Sequence, residues 1–366
     1  MLIVIGIIAL IIYSGLVYYI GWRGYRWLRP KTSTRRFKIL YSIVVALAAS
    51  SFIIGRISNF KILGIIGAYW MAIFYLLLML VPVAHLTVIL LRFSRLQQRG
   101  AQVWAGIATL TLLVSFLAYG SFNAYSPVVR TYDIKVDKGT SSLASLNIAM
   151  AADTHFGLLV GKDQAERLVR ELNDLKPDLI LLPGDLFDDD IQPFMDQKIG
   201  QILSKLRAPY GVYATLGNHD KHNGTMQKLI DTLEDSGINV LYDETVTVKD
   251  QITLIGRKDR SDRERLNLDK LMKEVDLTKP AILLEHQPYE MDNAQQLGVD
   301  LMVSGHTHRG QVFPGNLMTN AIYENDWGYL KKGDMHSIVT SGFGFWGPPI
   351  RIGTRSEIVN IQVQFE

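Results

Sequence analysis

Residues 299–308 read VDLMVSGHTH, an apolar run that ends in a glycine and two histidines separated by one residue. Side chains two residues apart point to the same side of an extended chain. His306 and His308 would therefore face the same way, as the ligands of two adjacent metal ions must. A surface loop can carry two histidines by chance, so the prediction of a metal site depends on partners elsewhere in the chain.

The same plan, an apolar strand closed by residues able to bind a metal, recurs in LNIAMAADTH, DLILLPGD, GVYATLGNHD and AILLEHQP. Segments with helical spacing lie between several of these runs, which predicts α/β layering over residues 146–366. Shorter strands after Ile238 predict that part of the sheet is antiparallel. Sites in open α/β sheets form at the carboxyl ends of strands. The residues expected to converge there are Asp153, His155, Asp185, Asn218, His286, His306 and His308.

These oxygen and nitrogen donors are too many for one tetrahedral zinc ion and suit two ions that share a carboxylate. Mixed imidazole and carboxylate ligands admit Mn, Fe, Zn, Co or Ni. The alternative is that each aspartate caps a helix and each histidine lies on the surface. That alternative explains any single position better than it explains a series of clusters that each close an apolar strand. The chain has no cysteine, which excludes disulfides, thiolate catalysis and cysteine–metal sites.

The motifs D-x-H, G-D-x-x-D, G-N-H-D, a lone histidine and G-H-x-H occur in this order. Over about residues 145–365 the chain resembles the calcineurin-like metallophosphoesterase superfamily. The ending SGFGFWGPPIRIGTRSEI is similar to the bacterial membrane-associated subgroup of the YkuE/YaeI type, which is related to UDP-diacylglucosamine pyrophosphatases. The resemblance implies a four-layer α/β/β/α sandwich with mixed sheets.

The resemblance also implies a role for each site residue. Asp185 would bridge two divalent metal ions, with Mn the expected metal. One ion would be held by Asp153, His155, Asp185 and His308, and the other by Asp185, Asn218, His286 and His306. His219 matches the catalytic histidine of the family, and Asp188 matches the carboxylate that orients it. Asp189 stands where the phosphoprotein phosphatase branch has an arginine, which disfavours that activity.

The first third of the chain has a different composition from the rest. Residues 1–125 contain 12 of the 38 basic residues and no Asp or Glu, whereas all 35 acidic residues follow later. Four apolar segments, at about 2–22, 39–56, 62–91 and 101–125, have lengths that suit transmembrane helices. We therefore predict a four-helix transmembrane region over residues 1–125, a connector over 126–145 and the metallophosphoesterase domain over 146–366.

Basic residues are concentrated in the first and third loops between these segments. Cytoplasmic loops carry an excess of Lys and Arg. The pattern predicts a multi-pass protein of the cell membrane whose amino terminus and catalytic domain are extracytoplasmic.

We expect a membrane-anchored phosphoesterase with two metal ions that hydrolyses phosphate esters or pyrophosphates by attack of a metal-activated hydroxide. The lipid bilayer is the expected partner, and a phosphate-containing lipid or cell-envelope compound is the expected substrate. Nucleic acid is not expected as a partner. Arg309 and Arg351 are candidates for phosphate recognition, since guanidinium pairs bidentately with phosphate, although each also suits a surface position. Trp327 lies in an aromatic stretch and is a candidate for substrate contact.

Two other classes of function are compatible with parts of the sequence. The first is a catalytically inactive metal-binding sensor or scaffold on the same fold, against which the complete ligand set and His219 argue. The second is a transporter with a regulatory domain. The absence of acidic residues from the membrane region makes a coupled ion path a poor fit.

Overall fold

Four long helices begin the chain in the computed structural model, which describes residues 2–28, 34–58, 60–93, 98–137 and 139–366. They are α1 (Leu2–Leu28), α2 (Arg35–Ile57), α3 (Lys61–Leu90) and α4 (Gln98–Tyr125). Each is long and apolar enough to cross a membrane. The helices confirm the four predicted segments and indicate a membrane protein.

The first two helices extend beyond the predicted apolar segments. Helix α1 continues past Trp22 through Arg23 and Arg26 to Leu28. Long basic side chains can keep their charge in the headgroup region while the backbone stays helical. Thr34 caps α2, because its hydroxyl accepts a hydrogen bond from the backbone amide of Phe37 at 3.3 Å.

The rest of the chain alternates strands and shorter helices. The strands are β1 (Val128–Val136), β2 (Ser145–Met150), β3 (Leu179–Pro183), β4 (Val212–Thr215), β5 (Ile238–Val240), β6 (Glu244–Val248), β7 (Ile252–Gly256), β8 (Ala281–Leu284), β9 (Leu301–Ser304), β10 (Gly328–Lys332), β11 (Met335–Val339) and β12 (Glu357–Phe365). The helices are α5 (Lys162–Asp174), α6 (Gln192–Asp196), α7 (Ile199–Leu203), α8 (Met226–Asp235), α9 (Leu268–Met272), α10 (Met291–Gln296) and α11 (Gly315–Ile322).

The strands form two six-stranded mixed sheets. The first sheet has the order β1-β12-β2-β3-β4-β5, with β2 to β5 parallel and β12 antiparallel to β2. The second has the order β10-β11-β9-β8-β7-β6, with β7, β8, β9 and β11 parallel and an antiparallel strand at each edge. The antiparallel pair β6–β7 confirms the prediction drawn from the short strands after Ile238.

Three hydrophobic clusters separate four layers of structure. The central cluster joins the facing sides of the two sheets, for example Ile148 and Leu181 with Leu254 and Ile282. A second cluster lies between the first sheet and helices α5, α7 and α8, and a third lies between the second sheet and helices α9 and α10. This layering confirms the predicted α/β/β/α sandwich.

The segment predicted as a connector, residues 126–145, contains the edge strand β1. This strand pairs in parallel with β12 along its whole length, from Val128 opposite Glu357 to Val136 opposite Phe365. Its side chains alternate between exposed and less exposed positions, and Ile134 and Val136 are buried in the central cluster. Part of the connector thus belongs to the first sheet. The chain divides into two structural units, one of Met1–Ser121 with Gly347–Pro349 and the other of Phe122–Trp346 with Ile350–Glu366.

Candidate metal centre

The residues predicted as metal ligands lie in the loops that follow five parallel strands. Strands β2, β3 and β4 of the first sheet lead to Asp153 with His155, to Asp185 and to Asn218. Strands β8 and β9 of the second sheet lead to His286 and to His306 with His308. The carboxyl ends of the parallel strands therefore supply side chains from both sheets to one region.

Among the described residues, three groups of three side chains could each hold a metal ion: the two that follow, which consist of predicted ligands, and Asp188 with Asp189 and His219. The first group is Asp153, His155 and His308, and the second is Asp185, His286 and His306. Within each group the potential ligand atoms all lie within 4.8 Å of one another. The two histidines of the GHTH motif thus fall into different groups, as expected for the ligands of two ions.

The carboxylate of Asp185 reaches both groups. Its Oδ2 atom lies 3.1 Å from Nε2 of His286 and 3.9 Å from Nε2 of His155. In the first group, Nε2 of His308 lies 3.1 Å from Nε2 of His155 and 3.7 Å from Oδ1 of Asp153. The carboxylate of Asp185 thus lies between imidazoles of the two groups.

Two buried ligand atoms in this region have no hydrogen-bond partner among the described residues. They are Oδ1 of Asn218 and Nδ1 of His155. Burial of a polar atom without a partner costs about 1–3 kcal/mol. Nδ1 of His286 lies 3.0 Å from the carbonyl oxygen of Pro183, so an Nδ1–H donor leaves the Nε2 lone pair free for a metal. The donor set fits divalent cations.

Burial keeps three of the histidines in the neutral form that a metal ligand requires. Burial is the largest influence on the pKa of each, lowering it to about 3 for His155, to about 4 for His306 and well below its ordinary value for His308. His286 differs, because the nearby carboxylates of Asp185 and Asp153 outweigh burial and raise its pKa to about 10. The carboxylates that favour the proton on His286 would equally favour a metal ion in place of that proton.

Two glycines allow the loops to approach the carboxylates closely. A Cβ atom at Gly217 would lie 2.1 Å from Oδ1 of Asp185, and one at Gly305 would lie 2.4 Å from Oδ2 of Asp153. Any other residue at either position would push a ligand carboxylate aside. The GNHD and GHTH motifs thus require glycine at these positions, because the carboxylates of Asp185 and Asp153 occupy the space that a side chain would need.

His219 lies next to the first group, with its ring centre 5.1 Å from that of His155. Its Nδ1 atom lies 2.5 Å from Oδ1 of Asp189, whereas the sequence predicts Asp188 as the orienting carboxylate. A carboxylate oxygen of Asp188 lies within 4.8 Å of a ring nitrogen of His219, and Oδ1 of Asp188 lies 4.0 Å from Nδ1 of His155. Burial opposes the charged form of His219, but the bond to Asp189 and the charge of Asp185 outweigh it and raise its pKa.

Arg351, a candidate for phosphate recognition from the sequence, lies in the interior of the α/β unit. The side chain is fully buried, and its guanidinium donates to the carbonyl oxygens of Ser341 at 2.6 Å and Gly344 at 2.7 Å. The same group lies 3.1 Å from Nδ1 of His308. Arg351 therefore supports the loops behind a metal ligand, out of reach of a substrate in solvent.

Arg309 and Trp327, the other predicted substrate residues, contact each other. The guanidinium carbon of Arg309 lies 3.7 Å from the centre of the Trp327 ring, and that of Arg130 lies 4.7 Å from it. The indole Nε1–H donates to the carboxylate of Glu357 at 3.1 Å. This stack holds a guanidinium one residue from His308, and its role toward a substrate stays a prediction.

Three side chains that the sequence analysis did not identify, Tyr323, Tyr289 and Arg260, stack in sequence beside His306 of the second group. The ring of Tyr323 lies 6.2 Å from that of His306, and Tyr289 lies 4.9 Å from Tyr323. The guanidinium of Arg260 covers Tyr289 at 4.0 Å. Tyr323 does belong to the aromatic stretch 322–330, but nothing in the spacing of Tyr289 or Arg260 relates them to a metal ligand.

Asp220 was also given no role from the sequence, although it closes the GNHD motif. Its buried carboxylate accepts hydrogen bonds from the backbone amides of Leu186, Phe187 and Gly217. It thereby joins the loop after β3 to the loop after β4, which carry Asp185 and Asn218. In the sequence, only the position of Asp220 in a glycine-containing turn indicates that its side chain could bind backbone amides.

The fold and the clustered ligands define the class of protein, and sequence comparison agrees with them. The model of the calcineurin-like phosphoesterase family matches residues 146–310. A metallophosphoesterase of Aquifex aeolicus is 33% identical over 258 residues, which cover 68% of this chain and 95% of that protein. The chain belongs to the calcineurin-like metallophosphoesterase family.

Two further relatives differ in how much of their length is matched. A transmembrane protein with metallophosphoesterase domain from Danio rerio is 30% identical over 271 residues, 70% of this chain and 62% of that protein. The metallophosphoesterase YkuE of Bacillus subtilis is 29% identical over 227 residues, 58% of this chain and 76% of that protein. The chain thus spans less than two thirds of the Danio rerio relative.

Proposed function

We propose that the chain is a membrane-anchored phosphoesterase with two metal ions that hydrolyses phosphate esters or pyrophosphates of lipid or cell-envelope compounds. The observation that carries the proposal is the pair of adjacent ligand groups with Asp185 between them. Asp153, His155 and His308 would hold one ion, and His286, His306 and Asn218 the other. Imidazole and carboxylate ligands suit Mn, and also Fe, Zn, Co or Ni.

When bound, two divalent cations supply an activated water and a clamp for the phosphoryl oxygens. The protein supplies the proton for the leaving group. His219 is bonded through Nδ1 to Asp189 and has a raised pKa. Its Nε2–H is therefore the donor that we assign to the leaving oxygen as the phosphorus–oxygen bond breaks. We assign a second phosphate oxygen to Arg309, which follows the ligand His308, because guanidinium pairs with phosphate.

An exposed apolar surface beside the metal centre supports a lipid substrate. Helix α11 has no buried residue, and Leu317, Met318 and Ile322 have 59%, 65% and 59% of their surface exposed. The helix follows the ligand loop His306–Gly310 directly. Trp346, which is 47% exposed, lies 5.5 Å from the ring of His219. Exposed apolar surface next to a site is typical of contact with lipid or with an apolar ligand.

The membrane anchor supports the same substrate class. A tether confines the site to the neighbourhood of the bilayer and so raises the effective concentration of any lipid-borne phosphate. The basic residues of the first and third loops favour an extracytoplasmic catalytic domain. In intact cells, Lys205→Cys should then react with a membrane-impermeant maleimide, whereas Arg36→Cys should react only after permeabilisation. The reverse result would place the catalytic domain in the cytoplasm.

The activity is tested with the full chain purified in detergent and loaded with Mn. Release of nitrophenol from bis-p-nitrophenyl phosphate and from p-nitrophenyl phosphate should stop when the metal is chelated. It should also fall to the chelated background in Asp185→Asn. The matched control is Asp300→Asn, which alters a half-buried aspartate that accepts from the amide of Ala281 at the opposite end of β9.

The outcomes separate the remaining candidates. Preference for one reporter would assign diester or monoester chemistry. Bound metal without hydrolysis of these reporters or of phospholipids would favour the inactive sensor or scaffold. Hydrolysis that persists in Asp185→Asn would contradict the proposed site.

A further inference from the structure

A cavity of about 370 Å³ lies among the four N-terminal helices. Its volume falls within the range of roughly 300–1,000 Å³ that is usual for small-molecule sites. The lining includes Arg23 and Arg26 from α1, His85 from α3 and Gln102 from α4. Most of the remaining lining is apolar, with Leu77, Val81 and Leu110 among its residues. A basic end and an apolar remainder give the cavity the polarity of an amphipathic ligand.

The two arginines have no carboxylate in the helices that carry them, because residues 1–125 contain no Asp or Glu. The guanidinium of Arg23 contacts the ring nitrogens of His85. A neutral imidazole that accepts a hydrogen bond leaves the charge of the arginine in place. Nε of Arg23 is buried and has no hydrogen-bond partner in the described part of the chain. Basic groups near the membrane surface attract anionic lipids, so the phosphate of a lipid can supply the anion that the helices themselves lack.

The depth of the arginines corresponds to the lipid headgroups. The 27 residues of α1 span about 40 Å, close to the full thickness of a bilayer with its headgroups. Arg23 lies five residues, or about 8 Å, before the end of the helix. The guanidinium groups of Arg23 and Arg26 lie 4.9 and 5.0 Å from the ring of Trp22. Tryptophan is enriched at this level of the membrane.

We propose that this cavity binds an anionic phospholipid, with the phosphate on Arg23 and Arg26 and the acyl chains along the apolar lining. The site is separate from the metal centre. The cavity is lined by Gln102 near the beginning of α4, whereas the catalytic domain follows the end of α4 at Tyr125. These positions are about 35 Å apart along the helix. The lipid is therefore a bound component of the leaflet on the side of the first and third loops, where anionic lipids interact with basic segments.

Native mass spectrometry of the full chain in detergent tests the proposal with dioleoyl-phosphatidylglycerol and dioleoyl-phosphatidylcholine. Wild-type protein should retain phosphatidylglycerol preferentially. The double variant R23Q/R26Q should lose about tenfold or more of that retention. The control R35Q/R36Q removes the same charge from exposed arginines at the start of α2, on the same side of the membrane, and should behave as wild type.

A second variant keeps the charges of Arg23 and Arg26 and fills part of the cavity. Ala84→Phe places a phenyl ring against the cavity lining and should also reduce retention of phosphatidylglycerol, with both arginines present. This variant decides the matter if R23Q/R26Q does not fold. Equal retention in Ala84→Phe and wild type, equal loss in R35Q/R36Q, or equal binding of phosphatidylcholine would overturn the proposal. Displacement of the lipid by millimolar inorganic phosphate would also overturn it, in favour of a site for free phosphate.

Discussion

Five of the seven predicted ligand residues adopt an uncommon backbone conformation. The φ angles are 51° for Asp153, 44° for His155, 52° for Asp185, 71° for His306 and 47° for His308. Non-glycine residues with such angles cost of order 1–3 kcal/mol each and concentrate at functional sites. The tight exits from the strands turn the side chains back over the ends of the sheets. The loops are thus shaped for ligation by their backbone as well as by their side chains.

The contact between His219 and Asp189 leads to a prediction about turnover. His219→Asn should lower kcat strongly, by about 10²–10⁴-fold, because it removes the proton donor. Asp189→Asn should lower kcat by a smaller factor, because the imidazole keeps its place without the charge that favours its protonated form. Metal content, measured by mass spectrometry of the purified protein, should stay at the wild-type level in both variants.

Asp188→Asn is the comparison that distinguishes the two neighbouring carboxylates. Since Asp188 lies nearer to the ligand His155, its loss should affect metal content at least as much as turnover. A larger effect on kcat from Asp188→Asn than from Asp189→Asn, with unchanged metal content, would identify Asp188 as the carboxylate that orients His219.

Arg351 should prove to be a structural residue. Lysine lacks the planar fork that serves several carbonyl oxygens, so Arg351→Lys leaves buried acceptors unpaired. We expect a loss of about 2–4 kcal/mol in the free energy of unfolding, measured by thermal denaturation in detergent, with KM of the remaining activity unchanged. Arg355→Lys is the control, because Arg355 makes one hydrogen bond to Ser126 from a partly exposed position. A raised KM at unchanged stability would identify Arg351 as a phosphate-binding residue.

The ligand residues could be predicted because each follows an apolar strand, and that pattern is local. The partner of His219 could not, since the choice between Asp188 and Asp189 depends on how the loop after β3 turns. Arg351 is a candidate for phosphate recognition because guanidinium pairs bidentately with phosphate, and the burial of its guanidinium is visible only in the folded chain.

At the scale of elements, α11 is the part of the α/β unit that most resembles a membrane-contacting segment. The chain has no cysteine, so a single fluorophore can be introduced without background. A dye on Leu317→Cys in liposomes should shift to the blue and be quenched by lipids with doxyl-labelled chains. The same dye on Glu234→Cys, an exposed position of the amphipathic helix α8, should remain in water. Absence of quenching at Leu317→Cys would show that α11 does not contact the bilayer.

Asp300, just before β9, gives a prediction about pH. Burial and the nearby Asp137 and Asp334 raise the pKa of its carboxyl group to about 6, from an ordinary value of 3.8. The folded chain therefore holds a proton that the unfolded chain has released between about pH 4 and 6. The free energy of unfolding contributed by this group falls as pH rises through that window.

Asp300→Asn should remove that dependence, because an amide oxygen can still accept from the amide of Ala281. Relative to wild type, the variant should gain stability between pH 4.5 and 7, by an amount on the order of 1 kcal/mol. Thermal denaturation in parallel buffers measures the difference. If the difference in stability between Asp300→Asn and wild type were the same at about pH 4.5 and at about pH 7, the raised pKa of Asp300 would be contradicted.

The pairing of strand β1 could not be predicted from the sequence. Its alternating pattern was present in VVRTYDIKV, but its partner β12 lies at the other end of the chain. A pattern confined to one segment does not say with which strand it pairs. The buried parallel strands of both sheets were predictable, because their apolar runs and helical crossovers are neighbours in sequence.

At the scale of the whole molecule, the division of charge corresponds to the division of structure. The N-terminal helices carry basic residues and no acidic ones, and the acidic residues belong to the α/β unit that gathers potential cation ligands. The four spans and the α/β class were predicted from composition and periodicity. The layer order came from the family resemblance, because the packing of two sheets leaves no periodic signal of its own.

The central claim is a centre of two metal ions that share Asp185, and counting the ions tests it most directly. The full chain, loaded with Mn and freed of excess metal, would be measured by inductively coupled plasma mass spectrometry. We predict about two Mn per chain in the wild type, fewer in Asn218→Ala, and almost none in Asp185→Asn. Asp300→Asn should keep both ions. One ion or none per wild-type chain, or full occupancy in Asp185→Asn, would contradict the account.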